Sequence, residues 1–291
     1  MRFSLAYSKK KYYLCHKFRK AMRRRILTVM NAVMLLGLLS GLLTGCTSSN
    51  TCPQVGSLVR DTIQGTPCVV YLPASLSNDQ RPTTNDLYPV LYLQHGMWGN
   101  ENDWTEKGNL VAIMDSLLRL GEVPEMVVVM PDNCPSRPTS DEERNNAMSG
   151  AWERHFPEFM EEVESKYPVS SDPSQRALAG LSMGGFHTMH ISHFLHGQFA
   201  YVGMFSPAIR PVSSAEVYDN WEEEVRVQLA DEPLYWIGIG REDFLYDYVR
   251  EYRLWLEANH CEYTYYESAG GHTWDNWQDY IGRFLKKIFD N

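Results

Sequence analysis

After residue 45 the sequence contains few basic side chains. Ten of its 27 lysines and arginines lie in residues 1–25, where there is no acidic residue. Residues 46–291 therefore carry 17 basic side chains against 36 acidic ones, a net charge of −19. Because proteins bind nucleic acid largely by neutralising its phosphates, this charge argues against a nucleic-acid partner. It also disfavours polyanionic substrates and suits neutral ones.

Cysteine is also scarce, and no two cysteines have the Cys-x-x-Cys spacing of a redox or zinc centre. Apart from Cys46, the segment after residue 45 contains Cys52, Cys68, Cys134 and Cys261. In an oxidising compartment these four could pair in three ways, and the sequence does not choose among them. One or two structural disulfides, or none, are expected. The sequence also lacks a His-Glu-x-x-His motif, and we expect neither a metal nor another cofactor.

Residues 1–45 have the pattern of an export signal. A basic stretch ends at Arg25, and a nearly continuous apolar run follows from Ile26 to Gly45. Leu43-Thr44-Gly45-Cys46 resembles a bacterial lipobox, which implies that Cys46 is the lipidated first residue of the mature chain. An uncleaved transmembrane anchor is the alternative, since about 20 apolar residues can span a bilayer. The long basic stretch leaves Met22 open as the translation start.

These features predict an exported protein, held in the bacterial cell envelope through a lipid on Cys46. At about 0.8 kcal/mol per buried CH₂, two or three acyl chains would make this attachment stable. We therefore divide the chain into a signal peptide at 1–45, a tether at 46–60 and one folded domain at 61–291.

Short apolar runs alternate with longer helical patterns, and there is no internal repeat. Strands are predicted at residues 69–72, 90–93, 126–130, 177–179, 201–205, 235–239 and 263–266. The middle runs are continuously apolar, as in strands that are buried on both faces of a sheet. Helices are predicted within 110–118, 245–256 and 277–288. This alternation predicts a single α/β domain with a mainly parallel sheet and helices on both faces. In such folds, ligands bind at the carboxyl ends of the strands.

Ser182 is the candidate nucleophile. It lies in Gly180-Leu181-Ser182-Met183-Gly184, between a predicted strand and a predicted helix. This is the context of a nucleophile elbow, a sharp turn that lifts the serine above the sheet. A glycine-rich turn with a serine that has no catalytic role would have the same local pattern. The presence of a base and a carboxylate elsewhere in the chain must therefore distinguish the two interpretations.

A nucleophilic serine needs a base, and the base needs a carboxylate to orient it. In this fold the order along the chain is Ser, Asp or Glu, then His. Asp243 follows the predicted strand at 235–239, and His272 follows the one at 263–266. The alternative acids are Glu242, Asp247 and Asp275. The alternative bases are His95, His155 and His260, and each is interpreted as structural.

Four segments together resemble the esterase branch of the α/β-hydrolases. They are YPVLYLQHGMWGNENDW (88–104), ALAGLSMGGF (177–186), GREDF (240–244) and GGHTW (270–274). This branch includes esterase D, feruloyl, acetylxylan and tributyrin-type esterases, as well as mycolyltransferases. The resemblance covers nearly the whole mature chain, from about Val69 to Phe289. It implies an α/β-hydrolase fold, with Ser182 as nucleophile, His272 as base and Asp243 as its partner.

The resemblance also implies an oxyanion hole formed by the backbone N–H groups of Met97 and Met183. Such donors stabilise the charge that develops on the carbonyl oxygen of an ester. Many relatives have glycine at the position of Trp98. This tryptophan is either a packed loop residue or a substrate contact that narrows the site or stacks on an aromatic or sugar group.

The helix after Ser182 contains His187, His190, His193 and His196. At about 100° per residue, steps of three turn the side chains by about 60° each, so no single face presents all four. We interpret the inner members as packed or hydrogen-bonded core residues.

The sequence therefore predicts a serine esterase that acts outside the cytoplasm, on acyl or feruloyl esters of carbohydrates. A short-chain esterase, an acyltransferase with the same three residues and a glycan- or partner-binding lipoprotein are the alternatives. The long polar connection at 131–152 either borders the substrate pocket or is a solvated insertion.

Overall fold

The computed structural model describes residues 56–77, 87–134, 139–209, 223 and 234–289. Its strands form one sheet in the order β1-β2-β4-β3-β5-β6-β7-β8. The strands are β1 Ser57–Ile63, β2 Thr66–Leu72, β3 Val90–Gln94, β4 Val127–Pro131, β5 Arg176–Leu181, β6 Tyr201–Phe205, β7 Leu234–Gly240 and β8 Thr264–Ser268. β1, β2 and β4 pair antiparallel, whereas β4, β3 and β5 to β8 pair parallel. This is the mainly parallel sheet of an α/β-hydrolase.

All seven predicted strands are confirmed as β2 to β8. Every residue of β3, β4 and β5 is buried, as their continuous apolar sequences predict. β1 was not predicted, and its sequence SLVRDTI explains why. As an edge strand it leaves most of its residues exposed or half-buried, so it needs no apolar run. It begins at Ser57, inside the segment predicted as a tether.

The helices lie on both faces of the sheet. They are α1 Ala74–Ser77, α2 Asp103–Glu106, α3 Leu110–Leu120, α4 Asp141–Ala147, α5 Ala151–Lys166, α6 Met183–Phe194, α7 Tyr246–Ala258 and α8 Trp274–Leu285. One apolar core joins the sheet to α5, α6 and α7, through residues such as Phe156, Met189 and Val249. The other joins it to α3 and α8, through Met114 and Phe284. The prediction of two helical layers is confirmed.

The parallel strands bring distant loops to one edge of the sheet. β3, β5, β7 and β8 end at Gln94, Leu181, Gly240 and Ser268, and their carboxyl ends share that edge. The segments that directly follow these strands, including the first residue of α6, contain all the predicted catalytic and oxyanion-hole residues.

Three of the cysteines discussed above lie in the described part of the chain. No disulfide joins Cys68, Cys134 and Cys261 to one another, and burial raises the pKa of the Cys68 thiol to about 12. Cys46 and Cys52 lie outside the described residues. Within the described ranges, no helix combines the length and apolar character needed to cross a bilayer.

Candidate active site

Ser182 lies in a strained turn between β5 and α6. Its backbone has φ 54° and ψ −117°, a conformation that non-glycine residues rarely adopt. Two hydrogen bonds hold it there: Ser182 N donates to Phe205 O, and Ala208 N donates to Ser182 O, both at 2.9 Å. The strain is therefore maintained by the neighbouring strand β6 and the loop after it. This is the geometry of a nucleophile elbow.

The two glycines of the motif are required by close backbone contacts. A Cβ on Gly180 would lie 2.5 Å from Gly184 O and 2.7 Å from the side chain of Gln94. A Cβ on Gly184 would meet the carbonyl oxygens of His95 and Gln94. Glycine therefore allows the elbow to pack directly against the end of β3.

His272 connects Ser182 to Asp243. Its Nε2 lies 2.9 Å from Ser182 Oγ, and its Nδ1 lies 2.9 and 3.1 Å from the two carboxylate oxygens of Asp243. The Asp243 side chain is fully buried and also accepts a hydrogen bond from Leu245 N at 2.9 Å. Because the carboxylate accepts the proton on Nδ1, Nε2 is left with a lone pair facing the serine hydroxyl.

The alternative acids and bases lie elsewhere. Glu242, Asp247 and Asp275 are exposed, and Asp275 occupies the first turn of α8. His260 is exposed at the end of α7, and His155 contacts Thr66 at 3.4 Å. His95 is buried beneath the loop after β3, where it contacts Gly96 O.

Two aromatic rings flank the imidazole of His272. The centroid of Phe244 lies 4.6 Å from it, and that of Trp277 lies 4.8 Å away in an edge-to-face arrangement. Trp277 is buried, whereas Phe244 is 68% exposed. These contacts fix the ring plane and keep it close to the cavity surface.

Met97 and Met183 lie on the two sides of Ser182. Met183 is the first residue of α6, so its N–H has no acceptor within the helix and lies at the positive end of the helix dipole. Met97 lies in the turn after β3, which packs closely on the elbow: a Cβ on Gly96 would lie 3.3 Å from Ser182 Cβ. The structure thus brings both predicted oxyanion-hole residues next to the serine.

A cavity of about 880 Å³ opens above Ser182. Its lining contains five of the predicted residues, which are Met97, Trp98, Ser182, Met183 and His272. Asp243 lies behind His272. Trp98 has a left-handed backbone and is 61% exposed, so its side chain stands at the cavity opening.

Several lining residues were not predicted from the sequence. They are Asp103, Lys107, Met148, Phe244, Trp274 and Trp277. Phe244 directly follows Asp243 in the sequence, and Trp274 lies two positions after His272. Proximity to the predicted triad was therefore an available signal for these two. Met148 brings the connection at 131–152 to the cavity wall, as one of its two interpretations expects.

The four histidines predicted on one helix do not converge, and α6 ends at Phe194, before His196. His187 Nδ1 lies 2.7 Å from Glu153 Oε1, His193 Nε2 lies 3.1 Å from the Tyr235 hydroxyl, and His196 is exposed. His190 is buried and its ring centroid lies 4.4 Å from that of Phe186. Among the residues described, no group of three or more His, Cys, Asp or Glu side chains could hold a metal ion.

The chain is similar to several esterases. An endo-1,4-beta-xylanase/feruloyl esterase of Xylanibacter ruminicola is 33% identical over 123 residues, which are 41% of this chain and 16% of the relative. An acetyl esterase of Caldicellulosiruptor saccharolyticus is 24% identical over 249 residues, 72% of this chain and 88% of the relative. The matched part thus spans about a sixth of the first of these relatives.

Solved structures have the same fold. A ferulic acid esterase superposes with a TM-score of 0.67 at 27% identity, covering 81% of this chain and 99% of its own. The model of the family described as "Putative esterase" matches residues 64–287, and the chain belongs to this family.

Proposed function

We propose that the protein is a serine carboxylic-ester hydrolase that works through an acyl-enzyme. The observation that carries this proposal is the hydrogen-bonded chain from Asp243 through His272 to Ser182, at the wall of an open cavity. Each of the three groups has the partner that its role requires.

In the first half of the reaction, Ser182 Oγ attacks the ester carbonyl carbon and its proton passes to His272 Nε2. The N–H groups of Met97 and Met183 stabilise the resulting oxyanion. The carbon–oxygen bond to the alcohol then breaks, and His272 returns the proton to the departing alcohol. In the second half, His272 takes a proton from water, the hydroxide attacks the acyl-enzyme, and the acid leaves as Ser182 recovers its proton.

We propose acyl or feruloyl esters of carbohydrates as the substrate class. The relatives described above include a xylanase/feruloyl esterase and an acetyl esterase. A cavity of about 880 Å³ has room for an aromatic acyl group together with part of a sugar. The net negative charge of residues 46–291 suits a neutral ester.

We further propose that the protein acts in the bacterial cell envelope, attached through a lipid on Cys46. The support is the basic stretch, the apolar run and the lipobox-like sequence Leu43-Thr44-Gly45-Cys46. Mass spectrometry of the mature N-terminus should find a diacylglyceryl group on Cys46. Finding residues before Cys46 intact would rule the anchor out.

The activity is tested with matched acetyl, butyryl and feruloyl esters and the full chain in detergent. Ser182→Ala should remove hydrolysis of the preferred ester, by a factor of about 10⁴ or more. Ser171→Ala, a change of the same type at an exposed position, should keep wild-type rates. Equal loss in both variants, or no turnover by the wild type, would contradict the proposal.

A further inference from the structure

The cavity above Ser182 contains one carboxylate that the reaction does not use. Besides His272, the charged side chains among its described lining residues are Asp103 and Lys107, both from α2 or just after it. The remaining lining side chains are apolar or aromatic, apart from Ser182 itself. A carboxylate in such surroundings is costly unless its oxygens find hydrogen-bond donors.

The two oxygens of Asp103 have different surroundings. Oδ1 accepts a hydrogen bond from Lys107 Nζ at 2.9 Å, and the carboxylate is only 7% exposed. Oδ2 accepts no hydrogen bond from any residue in the described ranges, and this oxygen is not completely enclosed by protein atoms. Asp103 lines the cavity, and its Oδ2 is an acceptor with an open hydrogen-bonding position on a side chain that is otherwise buried.

Oδ2 also lies against the turn that packs on Ser182. A Cβ on Gly99 would lie 2.5 Å from Oδ2, so the Gly99 backbone is in direct contact with this oxygen. Gly99 N donates to Gly96 O at 3.1 Å, and Gly96 packs on Ser182. The carboxylate is therefore connected to the nucleophile through a single tight turn, and Asp103 and Ser182 line the same cavity.

The negative charge of Asp103 and the open acceptor position on Oδ2 favour a ligand that donates a hydrogen bond and carries no negative charge. A substrate hydroxyl meets both conditions, whereas a carboxylate or phosphate would be repelled by Oδ2. Lys107 balances the charge of Asp103 without blocking Oδ2. A hydrogen bond to a charged acceptor that is otherwise unpaired changes binding by about tenfold or more.

We propose that Asp103 determines specificity by accepting a hydrogen bond from a hydroxyl group of the ester substrate. This inference rests on the proposed esterase function. The hydroxyl belongs either to a phenolic acyl group or to the sugar that carries the ester, and both offer the same donor chemistry.

Two matched pairs of esters distinguish the two sources. Methyl ferulate and methyl 3,4-dimethoxycinnamate differ in the phenolic hydroxyl. A monoacetylated methyl xyloside and its fully O-methylated counterpart differ in the sugar hydroxyls. The quantity to measure is the ratio of kcat/KM within each pair, for the full-length wild type and its variants.

In the wild type, we expect the hydroxylated ester of one pair to be preferred by about tenfold or more. Asp103→Asn should reduce this ratio to near one. Its amide oxygen would turn to Lys107, which leaves an NH₂ group facing the substrate hydroxyl instead of an acceptor. Glu106→Gln removes a negative charge from the same helix at an exposed position and should keep the wild-type ratio.

Loss of preference in the phenolic pair would assign Asp103 to the acyl side, and loss in the sugar pair would assign it to the alcohol side. A wild type that treats both pairs alike overturns the inference, whether or not Asp103→Asn folds. A ratio that survives in a folded Asp103→Asn variant overturns it as well. The absence of any Ser182-dependent hydrolysis would instead refute the esterase function on which the inference rests.

Discussion

Asp243 illustrates how one buried side chain sets the chemistry of its neighbour. Its carboxylate is fully buried and accepts two hydrogen bonds, from His272 Nδ1 and from Leu245 N. The bond from Nδ1 selects the tautomer of His272 that can accept the serine proton. In the proposed mechanism, Asp243 therefore orients the base and stabilises its protonated form.

Asp243→Asn should lower kcat by about 10³- to 10⁴-fold and leave KM nearly unchanged. The amide NH₂ would face Nδ1, which favours the tautomer with the proton on Nε2, and that tautomer cannot accept the proton of Ser182. Steady-state kinetics on the preferred ester would measure the effect. Asp247→Asn makes the same change on an exposed residue nearby and should behave as the wild type. A similar loss in both variants would show that the effect is not specific to the triad.

Some site residues could be predicted from the sequence and others could not. Ser182, Asp243 and His272 each follow a recognisable strand and occur in the order that the fold requires. Asp103 lies in the segment 88–104 that carries the resemblance, but it follows no strand directly, and it is placed in the cavity wall by the turn that contains Gly99. Contacts of this kind depend on loop conformation, which apolar periodicity does not encode.

Among the larger elements, the loop after β3 depends on a buried polar network. Asn133, just after β4, donates from Nδ2 to His95 O at 3.0 Å and to Gln94 Oε1 at 3.2 Å. Its backbone N–H donates to His95 Nε2 at 3.2 Å, and Trp152 Nε1 donates to Gln94 Oε1 at 3.0 Å. The chain just before Met97 is therefore fixed by contacts to β4 and α5, and we interpret Asn133 as a positioning residue for the oxyanion hole.

Asn133→Ala should reduce kcat by about 10- to 100-fold with little change in KM. It removes two donors and leaves the buried His95 carbonyl without one of its partners, at a cost of about 1–3 kcal/mol. If the loop moves in response, the Met97 N–H no longer meets the oxyanion. Kinetics together with the melting temperature test this.

Trp152→Phe supplies a second test of the same network. It removes the hydrogen bond to Gln94 Oε1 and part of a buried ring, but it keeps both hydrogen bonds of Asn133 Nδ2. It should therefore cause a smaller fall in kcat, in the same direction. Variants that melt at a lower temperature but keep the wild-type kcat would show that the network serves stability alone.

Strands whose burial requires a continuous apolar sequence could be predicted, whereas a strand that is mostly exposed could not. β2 to β8 were recognised from their apolar runs, whereas the mostly exposed β1 was not. The bounds of α7 and α8 also agree with the predicted apolar faces to within a few residues. The antiparallel pairing of β1 with β2 is set by the short turn at Gln64 and Gly65, both with positive φ.

At the scale of the whole molecule, three buried histidines, His187, His190 and His193, form a row on α6. His187 contacts Glu153 on α5, and His193 contacts Tyr235 on β7. The Tyr235 hydroxyl is in turn 2.8 Å from that of Tyr252. Burial lowers the pKa of His193 to about 3 and lowers that of His190 well below its usual value.

These two histidines should make the folded protein sensitive to mild acid. In the unfolded chain each binds a proton below about pH 6.5, whereas in the folded chain His193 stays neutral down to about pH 3. The unfolded state therefore binds more protons across this window, and the free energy of unfolding falls as the pH falls, by up to about 1.4 kcal/mol per pH unit for each histidine. Urea unfolding at pH 7.5, 6.0 and 5.0 measures this slope. His193→Gln should make the slope shallower, and His196→Gln, the same change at an exposed position, should not. Equal slopes in the wild type and His193→Gln would mean that His193 takes up its proton without unfolding.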